Sequence, residues 1–516
     1  MQAEPILGRA FCAIPDLVRA HAVREPRHAA LVHDARTLDY AALDALMDRV
    51  AAALQREGLA PRDAIAICAA TSLEYAAVFL GALRAGVVVA PLAPSATAES
   101  LADMLADAGA KLLFADGAAA DALRPLRGRI AARRVALEGA SGEPLQSWLA
   151  AAGAAPALVA IRPEWTFNII YSSGTTGTPK GIAQPHAMRW AQLQRSAPFE
   201  YGPGAVTLLA TPLYSNTTLV ALFPTLGMGG TAVLMGRFDA AAYLGLAEKH
   251  RATHTMLVPV QYRRIMALPD FDRYDLASFR FKLCTSAPFA AELKAEILAR
   301  WPGALFDLYG LTEGGGTCIL DARAHPDKLH TVGRPAPGHD IRLIDEQGRE
   351  VAKGGKGEVV GRSSVMMTGY HEQPEMTAKA EWFDAEGRRF LRTGDIGRFD
   401  DEGFLTLLDR KKDMIISGGF NIYPSDLESV LRGHPAVAEV AVAGVPSERW
   451  GETPVAFVVL EAGSPATSAE LLAWANERLG KIQRLAALEL VEALPRSAMG
   501  KVMKRELREA YGRGIR

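Results

Sequence analysis

The chain has 516 residues, of which 49% are hydrophobic and 22% are charged. That length is too great for one ordinary domain and suits two or three packed units. The chain has 57 basic and 58 acidic side chains. It therefore has no excess of positive charge that could attract nucleic acid or an anionic membrane. Any anion that this protein binds must therefore be held by local contacts.

The four cysteines are scattered and form no CxxC pair. This spacing argues against a disulfide framework or a zinc site and favours reduced thiols. The amino terminus lacks the charged-then-apolar layout of a signal peptide, and no apolar stretch approaches the ~20 residues that span a bilayer. We therefore expect a cytoplasmic protein, a monomer or homodimer, with no nucleic-acid or integral-membrane partner.

The first half of the chain alternates helical and strand-like patterns. The patterns predict helices at Tyr40–Glu57, Leu73–Ala85 and Ala98–Ala108, and strands at Ala64–Cys68, Val87–Pro91 and Lys111–Ala115. Strands separated by such helices predict an α/β fold of layered, mostly parallel sheets with helices on their faces. Ligands in such folds bind beyond the carboxyl ends of the strands. Residues 118–156 carry little pattern, and we expect surface helix and loop there.

After about residue 330 the sequence pattern changes to short segments that are rich in glycine and other turn-forming residues. Strands are predicted at His339–Ile344, Lys356–Arg362, Phe390–Phe399 and Phe404–Asp409, which indicates a small β-rich subdomain at about 330–409. A compact α+β pattern follows, with helices at Ser425–Gly433 and Ser468–Leu479 and strands at Val437–Val445 and Pro454–Leu460. We place the domain boundary at Asp409–Asp413. Residues 1–409 then form a large N-terminal domain and residues 410–516 a small, mobile C-terminal domain.

A loop rich in glycine and threonine follows the predicted strand Phe167–Tyr171. Its small residues let the backbone N–H groups converge on one anion, and its hydroxyls and terminal lysine add further donors. A Walker loop is excluded, because that pattern ends in Gly-Lys-Ser/Thr. The remaining alternative is a flexible polar turn. We predict a phosphate-binding loop, and its candidate contacts are Ser172, Ser173, Gly174, Thr175, Thr176, Gly177, Thr178 and Lys180.

Four further motifs follow this loop along the chain. They are Tyr309-Gly-Leu-Thr-Glu313, Thr393-Gly-Asp395, Asp409-Arg410 through Pro424, and Pro495 through Lys501. Together, the loop and these motifs resemble, in the same order, the signatures of the class I adenylate-forming superfamily, which contains acyl- and aryl-CoA synthetases, 4-coumarate–CoA ligases and luciferases.

The resemblance implies attack by a carboxylate on the α-phosphate of ATP, with pyrophosphate leaving. Catalysis then depends on neutralising and positioning two anions. The implied protein ligands of Mg²⁺ are Glu313 and Thr175, and Asp395 and Arg410 would hold the ribose. Tyr309 would lie against the adenine. The other implied nucleotide contacts are Ser286, Ala287, Pro288, Asp307, Gly310 and Thr312.

The resemblance also implies that Lys501 reaches the carboxylate and the α-phosphate during adenylation. The alternative for Lys501 is a lysine in a mobile, basic terminal segment. Family members rotate the C-terminal domain before thioester formation, which assigns Lys412 to the hinge and Gly418 and Gly419 to the thiol. Coenzyme A is the expected acceptor, because no carrier domain follows Lys501. Its candidate contacts are Trp450, Lys481 and Arg484.

The acid itself is less constrained. Related amino-acid-activating enzymes carry an aspartate in the segment equivalent to Thr211–Leu219, and this segment has no acidic residue, so amino acids are disfavoured. Tyr214 and Ser215 are candidates for the acid pocket, although many acyl- and aryl-CoA synthetases have histidine at the second position. Gly314, Gly315 and Gly316 either leave room for a ring or long chain or form a tight turn. We expect an aromatic, hydroxycinnamate-like or fatty acid.

Three functions follow from these residues. The first is an acid–CoA ligase that consumes ATP and coenzyme A. The second is an adenylating enzyme that loads an acyl-carrier protein. The third, from another class, is a non-catalytic nucleotide-binding homologue; loss of Lys501, Glu313 or Asp395 would have favoured it, and all three are present.

Overall fold

The computed structural model describes residues 7–139, 142–172, 180–411, 413–417, 420–481, 483–497 and 500–513. The described chain divides into two compact units. The first contains residues 1–329, 335–340 and 361–391, and the second contains residues 330–334, 341–360 and 392–516. The β-rich segments are thus shared between the two units. The predicted boundary at Asp409–Asp413 stays a prediction.

Fifteen helices are defined for the described residues. They are α1 Ile14–Arg24, α2 Tyr40–Arg56, α3 Leu73–Arg84, α4 Ala98–Asp107, α5 Gly117–Ala122, α6 Leu145–Trp148, α7 His186–Arg195, α8 Asn216–Gly227, α9 Ala240–Lys249, α10 Pro259–Met266, α11 Ala291–Arg300, α12 Pro374–Lys379, α13 Pro424–Arg432, α14 Ser468–Arg478 and α15 Lys504–Gly512.

The strands of the described residues run in chain order between these helices. They are β1 Ala29–His33, β2 Arg36–Asp39, β3 Ala64–Cys68, β4 Val88–Leu92, β5 Ala110–Ala115, β6 Arg133–Ala136, β7 Glu143–Pro144, β8 Thr166–Ser172, β9 Lys180–Pro185, β10 Val206–Leu209, β11 Thr231–Leu234, β12 His254–Leu257, β13 Phe281–Cys284, β14 Ala304–Gly310, β15 Thr317–Asp321, β16 Arg334–Pro335, β17 Asp340–Ile344, β18 Lys356–Arg362, β19 Gly369–Tyr370, β20 Glu381–Phe383, β21 Arg389–Phe399, β22 Leu405–Arg410, β23 Ile415–Ser417, β24 Phe420–Ile422, β25 Val437–Ser447, β26 Gly451–Leu460 and β27 Ala487–Leu490.

Local sequence explains where the early helices begin. The side chains of Asp39, Ser72 and Thr97 each accept a hydrogen bond from a backbone N–H in the first turn of α2, α3 and α4, as N-cap residues do. Their positions confirm the predicted helices to within a residue or two. The strand β3 matches its prediction at both ends and is buried at every position, as expected of a central parallel strand.

Two sheets organise the first unit. One contains nine strands in the order β16-β15-β14-β13-β12-β10-β11-β1-β2, and the other contains eight in the order β19-β9-β8-β4-β3-β5-β6-β7. Their central pairs are parallel, whereas β1/β2, β14/β15, β8/β9 and β9/β19 are antiparallel. The prediction of layered, mostly parallel sheets is therefore confirmed, with antiparallel pairs at the edges.

Three apolar clusters place the helices around these sheets. The largest combines residues of both sheets with α1, α2, α3 and α8, so these helices lie between the sheets. A second cluster joins the first sheet to α9, α10 and α11, and a third joins the other sheet to α4 and α5. No helix in the described part of the chain is long and apolar enough to cross a bilayer.

The expectation of surface helix and loop for residues 118–156 was wrong in part. Helices α5 and α6 are present, but β6 and β7 extend the second sheet by two strands. Val135 and Trp148 are fully buried there. The error arose because these strands are short and carry arginine and proline, so they lack the alternating pattern that marks a longer strand.

The second unit contains its own small sheet, in the order β24-β23-β26-β25 with β27 paired to β26. Helices α13 and α14 pack on it through Leu427, Leu431 and Leu471, all fully buried. This arrangement confirms the predicted compact α+β pattern.

Candidate active site

Glu313 lies just after β14, in the turn that leads to β15. One of its carboxylate oxygens accepts a hydrogen bond of 2.9 Å from the hydroxyl of Tyr370. Its backbone carbonyl accepts a second bond of 2.8 Å from the N–H of Met367. Burial, followed by the nearby carboxylate of Glu313, raises the pKa of Tyr370, so the tyrosine stays a neutral donor. The carboxylate is thus held in a fixed direction.

Lys180 lies close to Tyr370 as well. It begins β9, which pairs with β19 so that Tyr370 lies opposite Ile182. The Lys180 ammonium lies 5.8 Å from the centre of the Tyr370 ring, within range of a cation–π contact. Tyr370 therefore contacts both the lysine that ends the predicted phosphate loop and the carboxylate predicted to bind the metal.

The predicted phosphate-binding loop is described only at its ends. β8 and β9 pair antiparallel, with Ser172 opposite Lys180, so the two ends of the loop lie side by side. Of Ser172 only the backbone is described. The other predicted contacts lie outside the described residues: Ser173, Gly174, Thr175, Thr176, Gly177 and Thr178.

The glycine run after Glu313 serves close backbone packing. Gly314 and Gly315 have φ of 79° and 89°, the left-handed region that favours glycine. A Cβ on Gly314 would lie 2.1 Å from the Val365 carbonyl oxygen, and one on Gly361 would lie 2.3 Å from the Gly316 nitrogen. The contacts support the tight-turn alternative. The assignment of Gly314, Gly315 and Gly316 to the acid pocket stays a prediction.

A buried polar network holds the backbone beside Glu313. The amide of Gln184, on β9, donates a 2.6 Å hydrogen bond to the Thr312 carbonyl. Asn168 donates to the oxygen of Gln184 over 3.0 Å, and Arg189 donates to the same oxygen. Arg189 is fully buried, and its guanidinium lies 5.6 Å from the ring of Phe167. The network therefore links the strands that flank the phosphate loop to the motif that carries Glu313.

The predicted nucleotide contacts occupy neighbouring strand ends. Tyr309 and Gly310 are the last two residues of β14. Ser286 follows β13 with a φ of 82°, and its hydroxyl lies 2.7 Å from that of Thr217. Ala287 and Pro288 are the next two residues of that loop. These segments meet where parallel-sheet folds bind ligands.

Asp307 has a different environment. Its carboxylate forms a 2.6 Å ion pair with the Lys294 ammonium, and both side chains are almost fully buried. Burial raises the pKa of Asp307, and Lys294 opposes that rise. The pairing accounts for Asp307 within the protein interior, and its assignment to the nucleotide stays a prediction.

Tyr214 and Ser215 lie at the start of α8. The Ser215 hydroxyl accepts a 3.2 Å hydrogen bond from the Thr217 N–H and caps the helix. Burial, as the main cause, raises the pKa of Tyr214, and a hydrogen bond with Ser95 opposes the rise. Ser215 therefore has a structural reason to be a serine, and its role toward an acid stays a prediction.

In the second unit, Asp395 and Arg410 lie opposite each other on β21 and β22. The guanidinium Nε of Arg410 lies 2.6 Å from a carboxylate oxygen of Asp395, which is nearly fully buried. The N–H of Asp395 donates to the Thr393 hydroxyl over 3.0 Å, and that hydroxyl donates to the Val359 carbonyl. The structure thus brings together the two residues predicted to hold the ribose.

Lys501 lies at a turn near the end of the second unit. Ser497 and Lys501 are joined by a backbone hydrogen bond of 2.8 Å, and the Ser497 hydroxyl accepts a second bond from the Lys501 N–H over 3.2 Å. Arg496 and Val502 form an antiparallel bridge around this turn. The Lys501 side chain is exposed. Its backbone is therefore held by hydrogen bonds, which argues against the alternative of a lysine in a mobile, basic terminal segment.

The residues predicted for the hinge and coenzyme A are only partly described. Lys412, Gly418 and Gly419 lie outside the described residues. Trp450 is 48% exposed and precedes Gly451, which pairs with Ser417; Ser417 is the residue before the predicted glycine pair. Lys481 and Arg484 are exposed, and within the described ranges no hydrogen bond or ion pair joins either of them to Trp450. Their contact with coenzyme A stays a prediction.

The sequence reasoning missed Tyr370, Gln184 and Arg189. Tyr370 lies 57 positions after Glu313 and belongs to a two-residue strand, so no local pattern indicated it. The only local signal for the buried network was a set of polar residues within an apolar strand–helix segment, namely Gln184, His186 and Arg189. Among the described residues no cluster of three or more His, Cys, Asp or Glu could hold a metal ion.

Two family models match this chain. The model for AMP-binding enzymes matches residues 18–371, and the model for the C-terminal domain of AMP-binding enzymes matches residues 426–501. A feruloyl-CoA synthase of Amycolatopsis sp. is 35% identical over 494 residues, covering 94% of this chain and 96% of its own length.

Further similarity extends to another acid class and to a solved structure. The long-chain-fatty-acid–CoA ligase FadD13 of Mycobacterium tuberculosis is 32% identical, covering 96% of this chain and 98% of its own. The crystal structure of ATP-bound MatB from Rhodopseudomonas palustris has a TM-score of 0.87 at 30% identity, covering 96% of this chain and 99% of that one.

Proposed function

The chain belongs to the AMP-binding enzyme family and is an AMP-forming acid–CoA ligase, and we propose that it activates a hydroxycinnamate-like acid. ATP, coenzyme A and a small carboxylic acid are the substrates of this enzyme class. One observation supports the proposed catalytic site above the others: Lys180 and Glu313 meet at Tyr370. A cation suited to phosphate oxygens and a carboxylate suited to a metal thus contact the same tyrosine.

In the adenylation step the acid carboxylate attacks the α-phosphate, and pyrophosphate leaves. Lys180, with the hydroxyls of the preceding loop, holds the phosphates that become pyrophosphate. Lys501 contacts the attacking carboxylate and the α-phosphate and offsets the repulsion between two anions. Tyr309 lies against the adenine, and Asp395 accepts hydrogen bonds from the ribose hydroxyls.

Mg²⁺ suits the residues at Glu313. This ion usually takes one or two protein carboxylates and completes its shell with phosphate oxygens and water. One carboxylate, oriented by Tyr370 over 2.9 Å, meets that requirement, and Thr175 is the second proposed ligand. Held by Glu313 and Thr175, the ion would neutralise part of the charge on the phosphates.

In the second step the thiol of coenzyme A attacks the acyl carbonyl of the adenylate, and AMP leaves. We assign the approach of the thiol to Gly418 and Gly419, with Lys412 as the hinge. Trp450 stacks on the coenzyme adenine, and Lys481 and Arg484 contact its phosphates. A monomeric or homodimeric state and a cytoplasmic location remain predictions.

The aromatic acid is favoured over the fatty acid by the relative with the higher identity, the feruloyl-CoA synthase. A long-chain fatty acid is the second candidate, because a ligase for such acids is 32% identical over nearly the whole chain. Both acids need an apolar pocket, and neither carries an ammonium group, in agreement with the absence of an acidic residue in Thr211–Leu219.

The test is thioester formation by the full-length protein with Mg²⁺, ATP and coenzyme A. The acids are ferulate, 4-hydroxycinnamate, cinnamate, benzoate and fatty acids of increasing length, each assayed for AMP release and for acyl-CoA. We expect hydroxycinnamates to give the highest kcat/KM. AMP release without acyl-CoA, restored by an acyl-carrier protein, would assign the acceptor to that protein instead. No AMP release with any acid would refute the proposal.

A further inference from the structure

A second cation lies beside the candidate site, at the end of α7. Arg195 is the last residue of this helix and is partly buried. Its guanidinium donates a 2.8 Å hydrogen bond to the hydroxyl of Thr317. Across the parts of the chain that the structure describes, no carboxylate forms an ion pair with it. A guanidinium has five N–H donors, and among the described residues a single hydroxyl accepts from this one.

The charge of Arg195 persists in this environment. Burial lowers its pKa to about 10, so the side chain remains a cation at neutral pH. Desolvating a cation is unfavourable unless an anion or several acceptor oxygens surround it. Arg189, six residues earlier on the same helix, has such acceptors from Asn168 and Gln192 over 3.0 and 2.9 Å. The described residues provide no equivalent set for Arg195.

His339 adds a second donor at the same place. Its Nδ1 accepts a 3.0 Å hydrogen bond from the backbone N–H of Thr317. Burial, followed by the charge of Arg195, lowers the pKa of His339 to about 4. The imidazole is therefore neutral at physiological pH, and with Nδ1 accepting, the proton lies on Nε2. Arg195 and His339 thus flank Thr317 with N–H donors.

Thr317 ties this pair to the reaction site. It begins β15, four positions after Glu313, and lies opposite Gly310 at the end of β14. A Cβ on Gly310 would lie 3.3 Å from the Thr317 hydroxyl, so the side of Gly310 without a side chain faces this hydroxyl. Tyr309, the proposed adenine contact, is the preceding residue. The two donors therefore lie a few ångströms from the strand ends that carry the nucleotide motif.

We propose that Arg195 and His339 bind an oxygen atom at the end of the acid remote from its reacting carboxylate. The inference rests on the proposed function and narrows its substrate class. The acid then carries a distal hydroxyl, phenolate or second carboxylate, and an unsubstituted ring or alkyl chain leaves the buried donors without an acceptor. Sites that hydrogen-bond a substrate group discriminate strongly against analogues that lack it.

A purely structural role for Arg195 gives a different expectation. A basic residue in the last turn of a helix stabilises the helix through its terminal carbonyls, and its removal would then lower stability without changing the choice of acid. Arg300 offers a matched comparison. It ends α11 in the same way, but its guanidinium is paired with Asp272 and Glu296 over 3.1 and 2.7 Å.

The experiment measures kcat and KM of the full-length enzyme for two pairs of acids. Each pair compares an oxygenated acid with its unsubstituted analogue: 4-hydroxycinnamate with cinnamate, and decanedioate with decanoate. The quantity of interest is the ratio of kcat/KM within a pair. We expect the wild-type ratio to exceed about tenfold for one pair, as a charge-assisted hydrogen bond provides. The pair that shows it distinguishes a phenol from a second carboxylate.

Arg195→Met should lower that ratio at least about tenfold, mainly through a higher KM for the oxygenated acid. Arg195→Lys should restore part of it. Thr317→Val, which keeps the shape of the side chain, should lower it less and serves if Arg195→Met fails to fold. Arg300→Met should leave the ratio at its wild-type value.

Two results would overturn the inference: a wild-type ratio of one or below for both pairs, or a ratio that neither Arg195→Met nor Thr317→Val changes. In either case the acids are still converted to thioesters, so the proposed function stands. If wild-type enzyme converts no acid of either pair or of the wider panel, the proposed function fails and the inference fails with it.

Discussion

The two units hold their proposed catalytic groups in opposite ways. In the first unit, Glu313 is fixed by Tyr370, and the adjoining backbone is fixed by Gln184. In the second, the backbone of Lys501 is held by hydrogen bonds with Ser497, and its side chain is exposed. The first unit therefore presents a carboxylate oriented by its neighbours, and the second presents an exposed lysine whose backbone is held in place.

The difference has a physical basis. A carboxylate that binds a metal must point in one direction before the metal arrives, so its neighbours are built around it. Lys501 is proposed to act only in adenylation, so its side chain must be able to leave the reacting groups before the second step. Substitutions of the neighbours that hold Glu313 should thus affect stability and activity together, whereas Lys501→Ala should affect activity alone.

Glu313→Gln should give the largest loss within the first unit. The amide keeps the acceptor for Tyr370 but removes the charge that a metal needs. We expect kcat/KM for the magnesium complex of ATP to fall about 10²- to 10³-fold, with little change in melting temperature. Steady-state adenylation assays check this. Glu164→Gln, at an exposed position, is the control, and a loss below about threefold in Glu313→Gln would separate Glu313 from the metal.

Gly314→Ala tests whether the glycine run is structural. The new Cβ would lie 2.1 Å from the Val365 carbonyl oxygen, at a φ of 79°. We expect the free energy of unfolding to drop by about 3 kcal/mol or more, measured by urea denaturation. Gly354 has the same φ of 79° with nothing within 4 Å, so Gly354→Ala should cost only about 1 kcal/mol. Equal losses at the two positions would contradict the packing role.

The stability of the first unit should depend on pH through His254. This side chain is fully buried and its Nε2 lies 2.6 Å from the Phe199 carbonyl. Burial lowers the pKa of His254 from 6.5 to about 4. The unfolded chain therefore takes up a proton first as the pH falls. Stability is fully present above about pH 6.5 and is lost toward pH 4, by about 3 kcal/mol.

Urea denaturation between pH 4.5 and 7.5 measures this dependence. His254→Gln should reduce the slope of unfolding free energy against pH by about one proton. His330→Gln, at an exposed position, should leave the slope as it is. An unchanged slope in His254→Gln would show that the imidazole is protonated in the folded protein.

Tyr370→Phe should have the smallest effect of the four. It removes the hydroxyl that donates to Glu313 over 2.9 Å and keeps the ring beneath Lys180. We expect kcat/KM for the magnesium complex of ATP to fall about tenfold and stability to change by about 1 kcal/mol. Kinetics over a range of Mg²⁺ concentrations should show a higher requirement for the ion. An unaltered requirement would mean that Tyr370 does not orient the carboxylate.

Sequence patterns predicted most elements because burial and local caps agree. The strand β3 is apolar throughout, and α2 to α4 each begin with a side-chain cap. The strands β6 and β7 escaped prediction because two to four residues carry no period. Contacts between distant residues were also missed, since nothing near Glu313 in the chain indicates that Tyr370 will donate to it.

In the candidate site too, sequence motifs predicted individual residues but not the contacts between distant parts of the chain. Motif resemblance identified Glu313, Asp395 and Lys501, and the structure adds what holds each of them. It also gave reasons that the sequence lacked, such as the packing of Gly314 and the helix-capping hydroxyl of Ser215. Arg195 carried no motif, and only its pairing with Thr317 distinguishes it from an ordinary helix-terminal arginine.

The most direct test of this division between the units compares the two half-reactions of Lys501→Ala. ATP–pyrophosphate exchange measures adenylation, and thioester formation from supplied acyl-adenylate and coenzyme A measures the second step. We predict that exchange falls at least about 10²-fold while thioester formation and melting temperature stay near wild type, as they should in the exposed control Lys249→Ala. Parallel loss of both half-reactions in Lys501→Ala would contradict the account.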